Sequence, residues 1–177
     1  NPGAAQIAAD YGFLMHGEPF LNATNSYAAE ALAGWGLCDL ALSFELSLDA
    51  ARALRSPVPR GVTVYGRLPL MLTEHCLNKP RRGACRCAEA PALLTDRTGA
   101  AFTVLPAFGC RSEIENCKTL FLADKNDWKR LGLAFARLRF TTEPAEECLR
   151  VLRRYSGAEE GWKPKEFTRG LFYRSVE

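Results

Sequence analysis

The sequence predicts an α/β protein whose first third is built from βαβ units around a parallel sheet. Up to residue 74, short apolar runs alternate with segments of helical spacing, the rhythm of such units. The helical segments also carry cap and charge signals at their ends. The 177 residues, 47% hydrophobic, can bury one substantial core, the size of one domain or a large part of one.

The first unit places a strand or its start between Gly12 and Leu21 and a helix from Asn25 to Gly34, with Ala28, Ala29, Leu32 and Ala33 at helical spacing. In the second, Asp39 to Phe44 reads as a strand. The helix after it is capped by Ser47, with Asp49 early and Arg52 and Arg55 late, as the helix dipole favours. The third strand runs from Val62 to Leu72, and Gly66 and Pro69 interrupt it, so it is expected to bend or end near Arg67.

After Glu74 the rhythm stops, and residues 75–117 are rich in Cys, Pro, Gly and Arg. A hairpin is predicted there, Leu93–Thr95 against Ala101–Val104, turning through Asp96-Arg97-Thr98-Gly99. Glu113 to Cys117 reads as one helical turn and Thr119 to Leu122 as a short strand. Asp127 to Arg130 reads as helical and Leu133 to Phe140 as a strand. Glu143 to Tyr155 reads as an amphipathic helix with Ala145, Cys148, Leu149 and Leu152 on one face. The tail from Gly161 has no clear period.

Five of the seven cysteines, Cys76, Cys85, Cys87, Cys110 and Cys117, fall in the irregular stretch. Thiolates bind soft or borderline metals, so an iron–sulfur cluster, a zinc ion and unliganded thiols are all open readings. The spacing lacks the paired Cys-x2-Cys pattern of structural zinc sites, and one residue between Cys85 and Cys87 makes a cramped chelate. Lys79, Arg81, Arg82 and Arg86 would offset the negative charge of a thiolate-held group, or form a solvated loop. Cys38 and Cys148 sit among apolar residues and read as small hydrophobes.

The odd cysteine count argues for reduced thiols and a cytoplasmic location rather than a disulfide scaffold, which makes the Asn22-Ala23-Thr24 sequon a chance match. The start, Asn1-Pro2-Gly3, has neither an initiator Met nor a basic-then-apolar leader, and the chain reads as a piece of something longer. No stretch approaches the ~18 apolar residues of a membrane span. A net charge of +3 argues neither for nor against nucleic acid.

Serine catalysis needs a base oriented by a carboxylate, and the chain offers only His16 and His75. It has no Gly-x-Ser-x-Gly elbow and no His-Glu-x-x-His helix. Arg150, Arg153 and Arg154, with the tail from Lys163 to Arg174, could face RNA phosphates or be an ordinary basic surface.

Val64-Tyr65-Gly66-Arg67-Leu68-Pro69-Leu70-Met71, then Glu74-His75-Cys76, then Leu94-Thr95-Asp96-Arg97-Thr98-Gly99 with Phe102, then Cys110-Arg111 with Asn116, resemble the collagenase-like U32 peptidase family. Phe20-Leu21-Asn22, Ser43-Phe44-Glu45-Leu46 and Phe167-Thr168-Arg169-Gly170 are similar to other segments of it, so the resemblance covers about residues 20–176. It implies the later half of a TIM-barrel-like domain, about three βα units in residues 1–74, with the earlier strands missing. A Cys-rich segment over 75–117 and α+β elements over 118–177, packing on the same domain, would follow.

The family's name records a reported protease activity. Its characterised members also include iron–sulfur proteins needed to hydroxylate transfer RNA, ribosomal RNA and ubiquinone precursors. The resemblance therefore implies a [4Fe-4S] cluster on Cys76, Cys85 or Cys87, and Cys110, the fourth ligand coming from the rest of the close pair or Cys117, with zinc as the alternative. The Cys85-Arg86-Cys87 spacing is tighter than the family's gaps, and Leu171 stands where relatives carry His. At the C-terminal ends of barrel strands, the resemblance points to Glu45, Arg67 and His75 as catalytic candidates, beside Asn22, Asn25 and Glu74. Arg111 and Asn116 would order the loop around Cys110, and Asp96 and Arg97 would pin the hairpin. A hydroxylation-type iron–sulfur enzyme, a peptidase or peptide-binding module with structural cysteines, and an accessory subunit needing a partner are the three functional expectations. RNA or a small molecule is the expected substrate.

Overall fold

The computed structural model describes residues 3–79, 91–125 and 127–174. It divides into two compact units: residues 1–66 with 120–177, and residues 67–119. Among the described residues there are four α-helices and one mixed sheet of eight strands, in the order β1-β2-β3-β6-β5-β4, with β7 paired to β3 and β8 to β6. Strands β3 (Arg60–Thr73) and β6 (Arg111–Phe121) each pass through both units.

In the first unit, the βαβ succession is present. Strands β1 (Met15–Gly17), β2 (Leu37–Ala41), the first part of β3, and β7 (Phe135–Leu138) all pair in parallel. Helix α2 (Ser26–Ala33) joins β1 to β2, and the Asn25 side chain caps it by accepting the amide of Ala28 at 2.9 Å. Helix α3 (Leu48–Ala53) joins β2 to β3, capped in the same way by Ser47. The strand expected over Gly12–Leu21 is only three residues long, because Pro19 opens a 3₁₀ turn that closes at Leu21. Before it stands α1 (Gly3–Asp10), a short alanine-rich helix absent from the sequence reading.

The core of this unit gathers around Tyr65, Phe121 and Val151, all fully buried. Phe121 meets Tyr155, Trp162 and Phe167 edge-on at 5.5–6.0 Å between ring centroids, a favoured aromatic geometry. Helix α4 (Ala145–Ser156) supplies Val151 and Tyr155, and β8 (Phe167–Thr168) supplies Phe167. The buried stripe of α4 thus runs through Val151, not through Leu149 and Leu152, which are 53% and 48% exposed. The Tyr155 hydroxyl selects that stripe by donating to the Val64 carbonyl at 2.5 Å and accepting the Leu122 amide at 3.1 Å.

The second unit is a hairpin arm. Strand β4 (Ala92–Thr95) pairs antiparallel with β5 (Ala101–Ala107), and β5 with β6. The predicted hairpin is present, with Leu94 opposite Phe102. Its turn is held by Asp96, whose Oδ1 accepts from the Thr98 amide and hydroxyl and from the Ala100 amide at 2.7–3.0 Å. The helical turn expected at Glu113–Cys117 is instead the middle of β6. Pairing of Val104 with Ile114 and of Leu105 with Glu113 overrides the local polar composition.

The resemblance led to the expectation of a half TIM barrel, and the sheet corrects it. A barrel needs parallel neighbours tilted regularly into closure. Here β3 leaves its parallel partners at Gly66 and runs on to Thr73, β4, β5 and β6 pair antiparallel, and the sheet stays open. Gly66 makes that departure possible. Its φ is +121°, and a Cβ there would lie 2.1 Å from the Arg139 carbonyl oxygen, so only glycine fits.

Candidate functional site

The cysteine-bearing segment that follows β3 is tied to the start of β6. The Leu77 amide donates to Ser112 Oγ at 2.9 Å, and Ser112 is completely buried. Beside that bond, Glu74 Oε1 lies 3.7 Å from Arg111 Nη1. Cys76 therefore sits in a segment fastened to the residues directly after Cys110. The Lys79 amide closes the segment into a turn on the Cys76 carbonyl at 3.3 Å.

The two cysteines sit in opposite environments. Cys76 is buried, whereas Cys110 is exposed at the tip of the β5–β6 hairpin. The turn through Phe108, Gly109 and Cys110 has φ of +75° at Gly109 and +59° at Cys110. Among the described residues, only Asn22 and Cys110 adopt positive φ without being glycine. Asn tolerates that region, but for Cys it costs on the order of 1 kcal/mol. Arg111 steadies the turn by donating from Nε to the Phe108 carbonyl at 2.8 Å, the ordering role expected of it.

Cys117 is half-buried in β6, and its carbonyl and that of Asn116 accept from Arg67 Nη1 at 2.6 and 2.9 Å. Arg67 thus bonds backbone carbonyls. His75 is exposed, and its carbonyl accepts the Thr73 hydroxyl at 2.6 Å. Cys85 and Cys87, like Arg81, Arg82 and Arg86, lie outside the described residues. Among the described residues, no group of three or more His, Cys, Asp or Glu could hold a metal ion. The donor chemistry suits a thiolate-held group, but the described residues do not complete a ligand set.

Glu45 belongs to the first unit, where it is exposed after β2. Its amide donates to Ser43 Oγ at 3.3 Å, and that hydroxyl donates to Asn22 Oδ1 at 2.8 Å. Asn22 is held at φ +55° after the 3₁₀ turn. Asn22 and Ser43 thereby join the ends of two parallel strands, and Glu45 follows them by position.

Sequence reasoning missed Ser112 and the pairing of His16 with Asp39, in which His16 Nδ1 lies 2.7 Å from Asp39 Oδ2. Parallel register puts those two residues opposite each other on β1 and β2. Counting from the strand starts would set His16 opposite Cys38, and a register shift after Met15 brings it to Asp39 instead, so the sequence carried no signal for the pair. Ser112 carries no signal either, because a lone serine before a mixed-polarity run resembles a loop residue. The chain matches no family model, no curated protein and no solved structure.

Proposed function

We propose that the chain is an iron–sulfur protein of the U32 type acting in the hydroxylation of RNA or of a small molecule, with Cys76, Cys85, Cys87 and Cys110 holding a [4Fe-4S] cluster. The observation that carries this reading is the Leu77–Ser112 hydrogen bond, which ties the residue after Cys76 to the second residue after Cys110. Cysteines far apart in sequence and tied through one strand start suit a shared ligand better than isolated thiols. A bound cluster supplies one-electron transfer. The chain's own contribution is to hold Cys76 away from water and to present Cys110 on a strained turn. Thiols of this kind belong in a reducing cytoplasm.

Anaerobic purification followed by iron, sulfide and zinc quantification tests the reading. About four irons and four sulfides per chain, lost in both Cys76→Ala and Cys110→Ala, are expected for the cluster. One zinc with no sulfide would replace it by the structural-zinc alternative. Neither metal in an anaerobic sample would leave free thiols and remove the proposal. For an RNA substrate, Arg150 and Arg153, exposed on α4, supply the phosphate contacts, while Arg154 is engaged with the Ala123 carbonyl. Binding to transfer RNA should then weaken as salt rises, with a smaller slope in the Arg150→Ala, Arg153→Ala double variant.

A second reading rests on the open sheet. Strand β1 ends the order on one side with β2 as its only partner among the described residues, and Phe13, Leu14 and Phe20 around it are 67%, 79% and 60% exposed. Such an edge invites another strand, as in an accessory subunit completed by a partner. Co-purification of a stoichiometric partner whose binding is abolished by Leu14→Lys would favour that role.

A further inference from the structure

A cleft of about 210 Å³ lies in the first unit among α1, β1 and β2. Most of its wall is apolar: three alanines of α1, Met15, Leu21, Trp35 and Leu37. Two polar side chains reach it, His16 and Glu18. Glu18 is ion-paired with Arg137, so its charge is already compensated.

His16 is oriented by Asp39. A carboxylate only accepts hydrogen bonds, so in the 2.7 Å contact the ring donates from Nδ1. In the neutral imidazole Nε2 is then the acceptor. Among the described residues, the cleft wall contains no Ser, Thr or Cys that the dyad could activate as a nucleophile. With both nearby carboxylates engaged, by His16 and by Arg137, a cationic ligand has no counter-charge to seek. A neutral donor suits the site. Drug-sized pockets run to roughly 300–1,000 Å³, so this one suits a molecule of one or two rings.

We propose that this cleft binds a small neutral aromatic molecule bearing one hydrogen-bond donor, its ring against Trp35, Met15 and Leu37 and its donor on His16 Nε2. The inference is independent of the cysteine site, and it makes His16 a ligand-binding residue.

Indole serves as the probe, because it has two fused rings and one N–H, and 1-methylindole is the same shape without the donor. Titration of the full chain is followed by NMR of the histidine ring resonances, with His75 as the internal reference. Indole should move the His16 signals and leave those of His75 in place, and 1-methylindole should bind about fivefold more weakly, the effect of one net hydrogen bond. Ala5→Leu, which keeps a good helix former on α1 while filling the cleft, should abolish the shift. His16→Phe, which keeps a ring but no acceptor and is followed by the Trp35 indole N–H resonance, should bring indole down to the affinity of 1-methylindole. Equal binding of the two probes, movement of both histidines together, no movement of His16, or unchanged binding in Ala5→Leu would each overturn the proposal.

Discussion

The amide of Leu77 and the hydroxyl of Ser112 meet at 2.9 Å, although 35 residues separate them in sequence. Because Ser112 is fully buried, that bond is poorly exchanged for water. Ser112→Ala should lower unfolding stability by about 1 kcal/mol, the usual net worth of one hydrogen bond. Under the cluster reading, iron content should fall by much more than that loss accounts for, since the Cys76 segment is no longer fixed. Iron per chain and a urea melt, taken on the same preparation, separate the two effects.

Cys110 gives the complementary test. A non-glycine residue at φ +59° is strained, and glycine would relieve it. Cys110→Gly should therefore raise stability by about 1 kcal/mol and, under the cluster reading, reduce bound iron, the opposition usual between a strained functional position and stability. Loss of stability in this variant would show that the thiol packs structurally instead.

The parts of the fold that sequence reveals are those set by local chemistry. Asn25 and Ser47 cap helices because short polar side chains satisfy the first amides, and Asp96 pins its turn for the same reason. What the sequence hid was set by long-range pairing. Strand β6 forms because β5 pairs with it, so Glu113–Cys117 could not be read as strand from its own residues. The open sheet follows from the departure of β3 at Gly66, and its glycine and proline signalled an interruption without saying what lay beyond. The candidate site was partly legible: clustering singled out Cys76 and Cys110, but the tie between their neighbours Leu77 and Ser112 depends on a buried side chain with no local pattern. Arg67 was expected at a strand end in a catalytic role, yet its Nη1 bonds two carbonyls of β6.

Gly66→Ala should be among the most damaging single-methyl additions to the first unit. The new Cβ would fall 2.1 Å from the Arg139 carbonyl and 2.9 Å from the Arg139 Cβ, both attached to a backbone that pairs with β3. Positive φ adds strain that no rotamer relieves. Together these effects should cost about 3 kcal/mol or more, read as a shift of the urea midpoint with an unchanged slope. Gly99→Ala, where no atom lies within 4 Å of the added Cβ, carries only the positive-φ penalty and should cost about 1 kcal/mol.

Alkaline pH should unfold the chain through its buried phenols. Burial, reinforced by the negative charge of Asp127, pushes Tyr173 from 10.0 up to about 12, and its hydroxyl donates to Asp127 Oδ2 at 3.2 Å. Burial likewise raises Tyr65 and Tyr155. A phenol whose pKa is higher folded than unfolded keeps its proton in the native state while the unfolded chain gives it up. Stability is therefore fully present below pH 10 and falls as pH rises from 10 to about 12. Tyr173→Phe removes one titrating group from that range, so its urea midpoint should fall less as pH rises from 10 to about 12. Since Tyr173 is 41% exposed, solvent screens part of the effect, and the change in slope should be smaller than that produced by Tyr155→Phe. An identical pH dependence in wild type and both variants would show that ionisation elsewhere drives the alkaline transition.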